Sequence, residues 1–199
     1  MLSVVIQAGG QSTRMGENKA LKRFLDRPLI ERVIERLRPI ADELLVTTNE
    51  PDAFSYLSIP LFPDIKPGRG ALGGLHTALA SAHYPQVAVI ACDMPFASAP
   101  LVVAATSLLE QESADVVIAQ TAEGFEPLHA VYRRDACRPA VESALEADQW
   151  RVIAWFPKVK VRKLTDEELN RYDPDHLAFW NLNTPEDFAA AERRAAANP

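Results

Sequence analysis

Three consecutive β-branched residues, Val4-Val5-Ile6, run into the polar stretch Gln7-Ala8-Gly9-Gly10-Gln11. That pattern predicts a buried strand that empties into a glycine-bearing loop. Leu29, Ile30, Val33, Ile34 and Leu37 recur at helical spacing, so Pro28 to Pro39 is predicted helical, with Pro28 suited to the first turn. Leu44 to Thr48 reads as a second strand. Strand, loop, helix, strand in that order is a right-handed βαβ unit and predicts a largely parallel sheet.

The same reading carries through the rest of the chain. Ser58 to Phe62 is a short strand, and the turn formers from Pro63 to Gly70 lead into a helix opened by Leu72-Gly73-Gly74-Leu75 and running to about His83. Val87 to Cys92 is the most uniformly apolar strand and so the central one. Pro100 to Leu109 is predicted helical, Ala114 to Gln120 a strand, Thr121 to Pro127 a polar break, and Leu128 to Tyr132 a strand. Asp135 to Ala147 reads as a helix capped by Asp135, Gln149 to Phe156 as a shorter helix, and Val159 to Leu164 as a half-buried strand. Thr165 with Glu168 is a capping-box signature for a helix through Arg171. Thr184-Pro185-Glu186-Asp187 opens a last helix expected to fray from Ala195 to Pro199. With no repeat or linker, residues 1–199 are expected to form a single Rossmann-like α/β domain of three layers around a mostly parallel sheet.

Composition narrows the partners. A chain of 199 residues, 48% hydrophobic and 24% charged, is ordinary for a globular protein. Its net charge of −6 argues against nucleic acid, which selects a basic stripe. No run approaches the roughly 18 apolar residues of a membrane span, and Met1 to Ala8 lacks the length and basic start of a secretory signal. Cys92 and Cys137 form no metal or redox motif, so a reducing cytoplasm is expected.

An anionic substrate must therefore meet local positive charge. Gly9 and Gly10 free main-chain N–H groups at a strand's carboxyl end, and Arg14 and Lys19 add cations, which together read as a polyphosphate cradle. The string is neither the P-loop nor the dinucleotide fingerprint. Asp93, one residue past the central strand, is placed either to hold Mg²⁺ or to form an Asx turn before Pro95. Asn49 offers an amide to a base edge or ribose, or else serves a turn before Glu50-Pro51. Asp64 is similar, a carboxylate for a base edge or else a turn residue, and Gly73-Gly74 could admit a base or simply pack a helix. Strand alternation puts Asn181 and Asn183 on one face. His129 and His176 read as structural and Arg133-Arg134 as a solvated pair.

The strings Ala-Gly-Gly-x-Ser-x-Arg-Met-Gly-x-x-Lys from Ala8, Cys-Asp-Met-Pro from Cys92, Arg-Val-Ile-Ala-Trp-Phe from Arg151 and Asn-Leu-Asn-Thr-Pro-Glu-Asp from Asn181 follow one another in family order. In these the chain resembles the molybdenum cofactor guanylyltransferases (MobA type). The resemblance implies transfer of GMP from GTP to molybdopterin with Mg²⁺, and passing contact with cofactor-insertion proteins or apoenzymes. It implies catalytic roles for Arg14, Lys19 and Asp93, with Asp93 as the metal ligand. Nucleotide contacts are implied at Gln7, Ala8, Gly9, Gly10, Lys19, Asn49, Asp64 and Asp93, and acceptor contacts at Asn181 and Asn183. Two departures stand out: Gln7 where the family usually has leucine, and Asn18 where it has aspartate. Cytidylyltransferases on the same pterin and NTP transferases on sugar phosphates share the first loop. A nucleotide-sensing module without turnover is the non-enzymatic alternative, with Asn18 its only pointer.

Overall fold

The computed structural model describes residues 1–9 and 18–197. Along the chain run β1 (Leu2–Gln7), β2 (Arg23–Phe24), β3 (Arg27–Pro28), α1 (Leu29–Leu37), β4 (Glu43–Thr47), α2 (Pro51–Phe54) and β5 (Leu61–Phe62). They are followed by α3 (Gly70–Ser81), β6 (Gln86–Ala91), α4 (Ala99–Gln111), β7 (Val116–Ile118), β8 (Gln120–Thr121) and β9 (Gly124–Phe125). The remaining elements are β10 (His129–Arg133), α5 (Arg134–Glu146), β11 (Val161–Lys163), α6 (Asp166–Tyr172) and α7 (Pro185–Ala197).

Seven strands make one sheet in the order β11-β7-β10-β6-β1-β4-β5, with β6 in the middle as its apolar run predicted. Strand β10 pairs antiparallel with both β6 and β7, and the other pairings are parallel. Alternation along the strands builds two cores. Val4, Ile6, Val46, Ala88 and Ile90 pack against α1 and α4, while Val5, Leu45, Val87 and Val89 pack against α3 and α5. Helix, sheet, helix is the three-layer α/β arrangement expected from the sequence. A third, smaller cluster joins Phe24 and Leu29 near the amino end to Leu182, Phe188 and Ala191 near the other.

Several local expectations are corrected. Gln149–Phe156 is not a helix. Helix α5 stops because Asp148 takes a left-handed backbone (φ 55°), so that Gln149 N donates to Ala144 O and Asp148 N to Leu145 O, a Schellman closure. Turns follow, in which the fully buried Trp155 donates from Nε1 to Val152 O at 2.7 Å. Asp135 lies inside the first turn of α5 rather than capping it; the cap position is Arg133. The β8–β9 hairpin, which begins at Gln120, runs into the Thr121–Pro127 stretch read as a polar break. Residues 180–183 form no strand, so the argument that placed Asn181 and Asn183 on one strand face fails, although Thr184 caps α7 as expected through Asp187 N. Helix α7 holds to Ala197 instead of fraying at Ala195. The Thr165–Glu168 capping box forms as read.

Candidate active site

The candidate site lies at the carboxyl ends of β1, β4, β5 and β6, where strand pairing runs out. Ala8 N still reaches Thr47 O and Cys92 N still reaches Gln7 O, so the residues after β1 and β6 remain side by side. This is the position at which open α/β sheets receive ligands.

One end of the site is built on Gly9. A side chain there would stand 3.9 Å from Asn49 Nδ2 and 4.0 Å from Asp64 Oδ2. Asn49 and Asp64 clasp each other: Asn49 Nδ2 donates to Asp64 Oδ2 at 2.8 Å, and Asp64 N donates to Asn49 Oδ1 at 3.0 Å. Asp64 Oδ1 is left buried without a hydrogen-bond partner. Gln7 is buried as well. Its Nε2 makes a long 3.4 Å contact to Ala71 O, and its Oε1 has no partner. A buried polar atom in that condition costs about 1–3 kcal/mol until a ligand or water satisfies it.

Gly73 and Gly74 are explained by packing. A side chain on Gly73 would meet Arg69 Cβ at 2.9 Å and Lys66 O at 3.1 Å, and one on Gly74 would overlap Gln7 Nε2 at 2.2 Å. Their bareness brings α3 down onto β1 and onto its own entry loop.

The other end gathers charge. Lys19 Nζ lies 3.2 Å from Asp93 Oδ2 and donates to Asn183 Oδ1 at 2.8 Å, with the Lys19 and Asp93 side chains only 16% and 21% exposed. Three segments position these groups. Asn18 caps the 3₁₀ turn Lys19–Leu21 by accepting from Ala20 N, and its Nδ2 donates to Glu50 Oε2 at 2.8 Å. Asp93 is held from behind, its carbonyl accepting from Leu182 N at 3.0 Å. Asp187 accepts from the N–H groups of Asn183 and Thr184. Its hydrogen bonds with Thr184 are the main reason its carboxyl stays below the usual range, with Lys19 a lesser one. Burial pushes the neighbouring Cys92 thiol up, so it offers no thiolate nucleophile.

Of the residues singled out in the sequence, Lys19, Asp93 and Asn183 thus come together, and Gly9, Asn49 and Asp64 form a second group. Ala8 is buried between the strands. Asn181 stays apart, donating to Phe179 O two residues back. Gly10 and Arg14 lie outside the described residues. Reading the sequence missed the link from Asn18 to Glu50; the aspartate-to-asparagine departure was its only signal. His129 is structural, accepting from Ser98 N at 3.0 Å. Burial lowers its pKa to about 4 and keeps it neutral. Arg133 and Arg134 are not a free pair: they donate to the carbonyls of Ala114, Leu109, Ala82 and His83. A cavity of about 510 Å³ opens elsewhere, between α1 and Tyr56–Ile59. It contains none of these groups, so the chemistry of the lining rather than concavity marks the candidate site.

A carboxylate corner with an unpartnered oxygen and a lysine–carboxylate cluster on one mostly parallel sheet suit a nucleotidyltransferase. The chain belongs to the MobA-like NTP transferase family, whose model matches residues 4–161. A relative from Pelotomaculum thermopropionicum, named a probable molybdenum cofactor guanylyltransferase, is 36% identical over 188 residues, covering 94% of this chain and 90% of its own. A molybdenum cofactor guanylyltransferase from Desulfosudis oleivorans is 34% identical over 189 residues, covering 94% and 93%. Among solved structures, molybdopterin-guanine dinucleotide biosynthesis protein A from Archaeoglobus fulgidus superposes with a TM-score of 0.85 at 26% identity, covering 98% of this chain and 99% of that one.

Proposed function

We propose that this chain transfers GMP from GTP to the terminal phosphate of molybdopterin, releasing pyrophosphate, and that residues 1–199 act as one nucleotidyltransferase unit. The observation that carries the reading is the separation of the candidate site into an Asn49–Asp64 corner with an unpartnered carboxylate oxygen and a Lys19–Asp93–Asn183 cluster. Names of relatives that match nearly the whole chain support the same substrates. In this reading Asp64 accepts from the guanine edge, Asn49 fixes Asp64, and the backbone from Gln7 to Gly10 follows the nucleotide. Lys19 and Arg14 take the triphosphate, and Asn183 faces the acceptor. Unpaired Cys92 and Cys137 suit a cytoplasmic enzyme that hands its product to insertion proteins or apoenzymes.

The donor set fits magnesium. Among the described residues no group of three or more His, Cys, Asp or Glu side chains could hold a metal by itself. Magnesium keeps several waters and takes one or two carboxylates together with substrate phosphates, which Asp93 can provide. When bound there it would relieve negative charge on phosphate oxygens.

The acceptor, a phosphate monoester with a second pKa near 6, is mostly dianionic at about pH 7, so no general base is required. Its oxygen forms a bond to the α-phosphorus as the bond to the α,β-bridging oxygen breaks, and that electron pair leaves on pyrophosphate. Lys19 neutralises charge at the centre, and Asn183 holds its ammonium in place for in-line attack.

The test is pyrophosphate release from each NTP with molybdopterin and, separately, with sugar phosphates. GTP with molybdopterin should dominate. A preference for CTP, or for a sugar phosphate, would replace this reading with the corresponding cytidylyl or sugar-phosphate transfer, and no release from any pair would leave a nucleotide-binding module.

A further inference from the structure

Three buried polar atoms without hydrogen-bond partners come from adjacent strand ends: Gln7 Oε1, Thr47 Oγ1 and Asp64 Oδ1. Their residues are 6%, 1% and 9% exposed. Gln7 and Thr47 are register partners on β1 and β4, and both follow residues of the alternating set, Val5 and Leu45, that faces α3. Asp64 leaves β5, the next strand along, and is tied to Asn49 and close to Gly9. Native interiors hold only a few such atoms per hundred residues, and three of the five among the described residues lie at these neighbouring strand ends.

The Gln7 amide has a defined orientation. Its Nε2 points at the Ala71 carbonyl, and Gly74 leaves it the space that any side chain on α3 would fill. Turning the amide round would set Oε1 against that carbonyl oxygen, acceptor against acceptor. The amino end is therefore committed to α3 and the carbonyl end is free.

We propose that Gln7 selects the base, its Oε1 accepting from the exocyclic 2-amino group of guanine beside Asp64 Oδ1. This rests on the guanylyl reading above. Guanine presents two adjacent donors, N1–H and the 2-amino group, and Asp64 and Gln7 each hold an unpartnered acceptor at strand ends separated in the sheet by β4 alone. Hypoxanthine keeps the first donor and lacks the second, so it would leave Gln7 Oε1 unpaired. A pocket built to hydrogen-bond a group rejects the analogue without it.

The experiment compares kcat/KM for GTP and ITP in the full chain with Mg²⁺ and molybdopterin, for wild type, Gln7→Met and Gln7→Leu. Methionine nearly keeps the volume against Gly74 and removes both polar atoms; leucine is a second apolar choice should methionine fold poorly. The wild type should prefer GTP by at least ~10-fold, and the variants should bring the two nucleotides within ~3-fold, chiefly by losing GTP. A structural role for Gln7 would lower Tm and depress both nucleotides together, leaving the ratio intact. An unchanged ratio in either folded variant, or no preference in wild type, overturns the assignment while leaving guanylyl transfer standing. A wild type that ignores GTP overturns the reading beneath it instead.

Discussion

At one end of the candidate site, Lys19 reaches Asp93 and Asn183 across 74 and 164 residues of chain, a charged pair and an amide that stay partly open to solvent. At the other end, Gln7, Thr47, Asn49 and Asp64 all come from the first 64 residues; all but Asn49 are buried, and three hold an unpartnered atom. The first end is suited to acting on a charge that moves, because its lysine and carboxylate are charged and partly exposed. The second is suited to telling ligands apart, because a dry polar atom penalises whatever fails to pair with it. Rate and choice should therefore separate by region.

The sharpest way to break that division is Asp93→Asn. Turnover with GTP should fall by at least ~100-fold while the preference among NTPs survives, as for loss of a main charge-stabilising group. Near-normal pyrophosphate release would remove Asp93 from the chemistry. Asp64→Ala should do the reverse. The melting shift from saturating GTP over that from CTP should shrink, and kcat with GTP at saturation should change by less than ~10-fold. A variant that keeps its GTP selectivity would detach the buried corner from base choice.

A smaller effect tests the bridge between the two ends. Asn18 Nδ2 donates to Glu50 Oε2, so Asn18→Asp would set two carboxylates against each other. A few-fold drop in kcat/KM is expected, on the scale of roughly 1 kcal/mol for an exposed pair, and adding Glu50→Gln should restore it. Gain of activity in the single variant would show instead that the asparagine is a defect. The smallest effect lies in the scaffold, away from both ends. The Arg162 guanidinium, chiefly, holds the Glu168 carboxyl down at about 2 from a usual 4.5. A depressed carboxyl adds stability above the unfolded pKa, and that stability is lost as pH falls from about 4.5 toward 2. Glu168→Gln should flatten the fall of Tm across that window and leave nucleotide selectivity unchanged; an unaltered slope would mean the pair contributes nothing measurable.

How much of this was legible in the sequence differs by element. The strands of the sheet centre were plain, because Val4-Val5-Ile6 and Val87–Ala91 are buried on both faces and need no alternation to be recognised. Gln149–Phe156 was misread because Val152, Ile153, Trp155 and Phe156 look like a helical stripe, yet Trp155 is buried by turns after a helix stop on aspartate rather than glycine. The β2–β3 hairpin was invisible for a like reason: its turn puts Leu25 at φ 58°, which leucine does not advertise. At the site, Gly9 and Asp93 could be placed from local pattern. The meeting of Lys19, Asp93 and Asn183 depends on packing between the chain's two ends, and only family resemblance could anticipate it.

The cluster that joins Phe24 and Leu29 to Phe188 and Ala191 is reinforced by Leu25 N donating to Glu192 Oε1 at 2.8 Å. It anchors α7, whose entry carries Asn183, beyond the stretch from 4 to 161 that the family model matches. The Asn49–Asp64 clasp lies wholly inside that matched stretch. A change in the tail that unseats α7 would therefore reach Lys19 through Asn183 and leave the clasp in place.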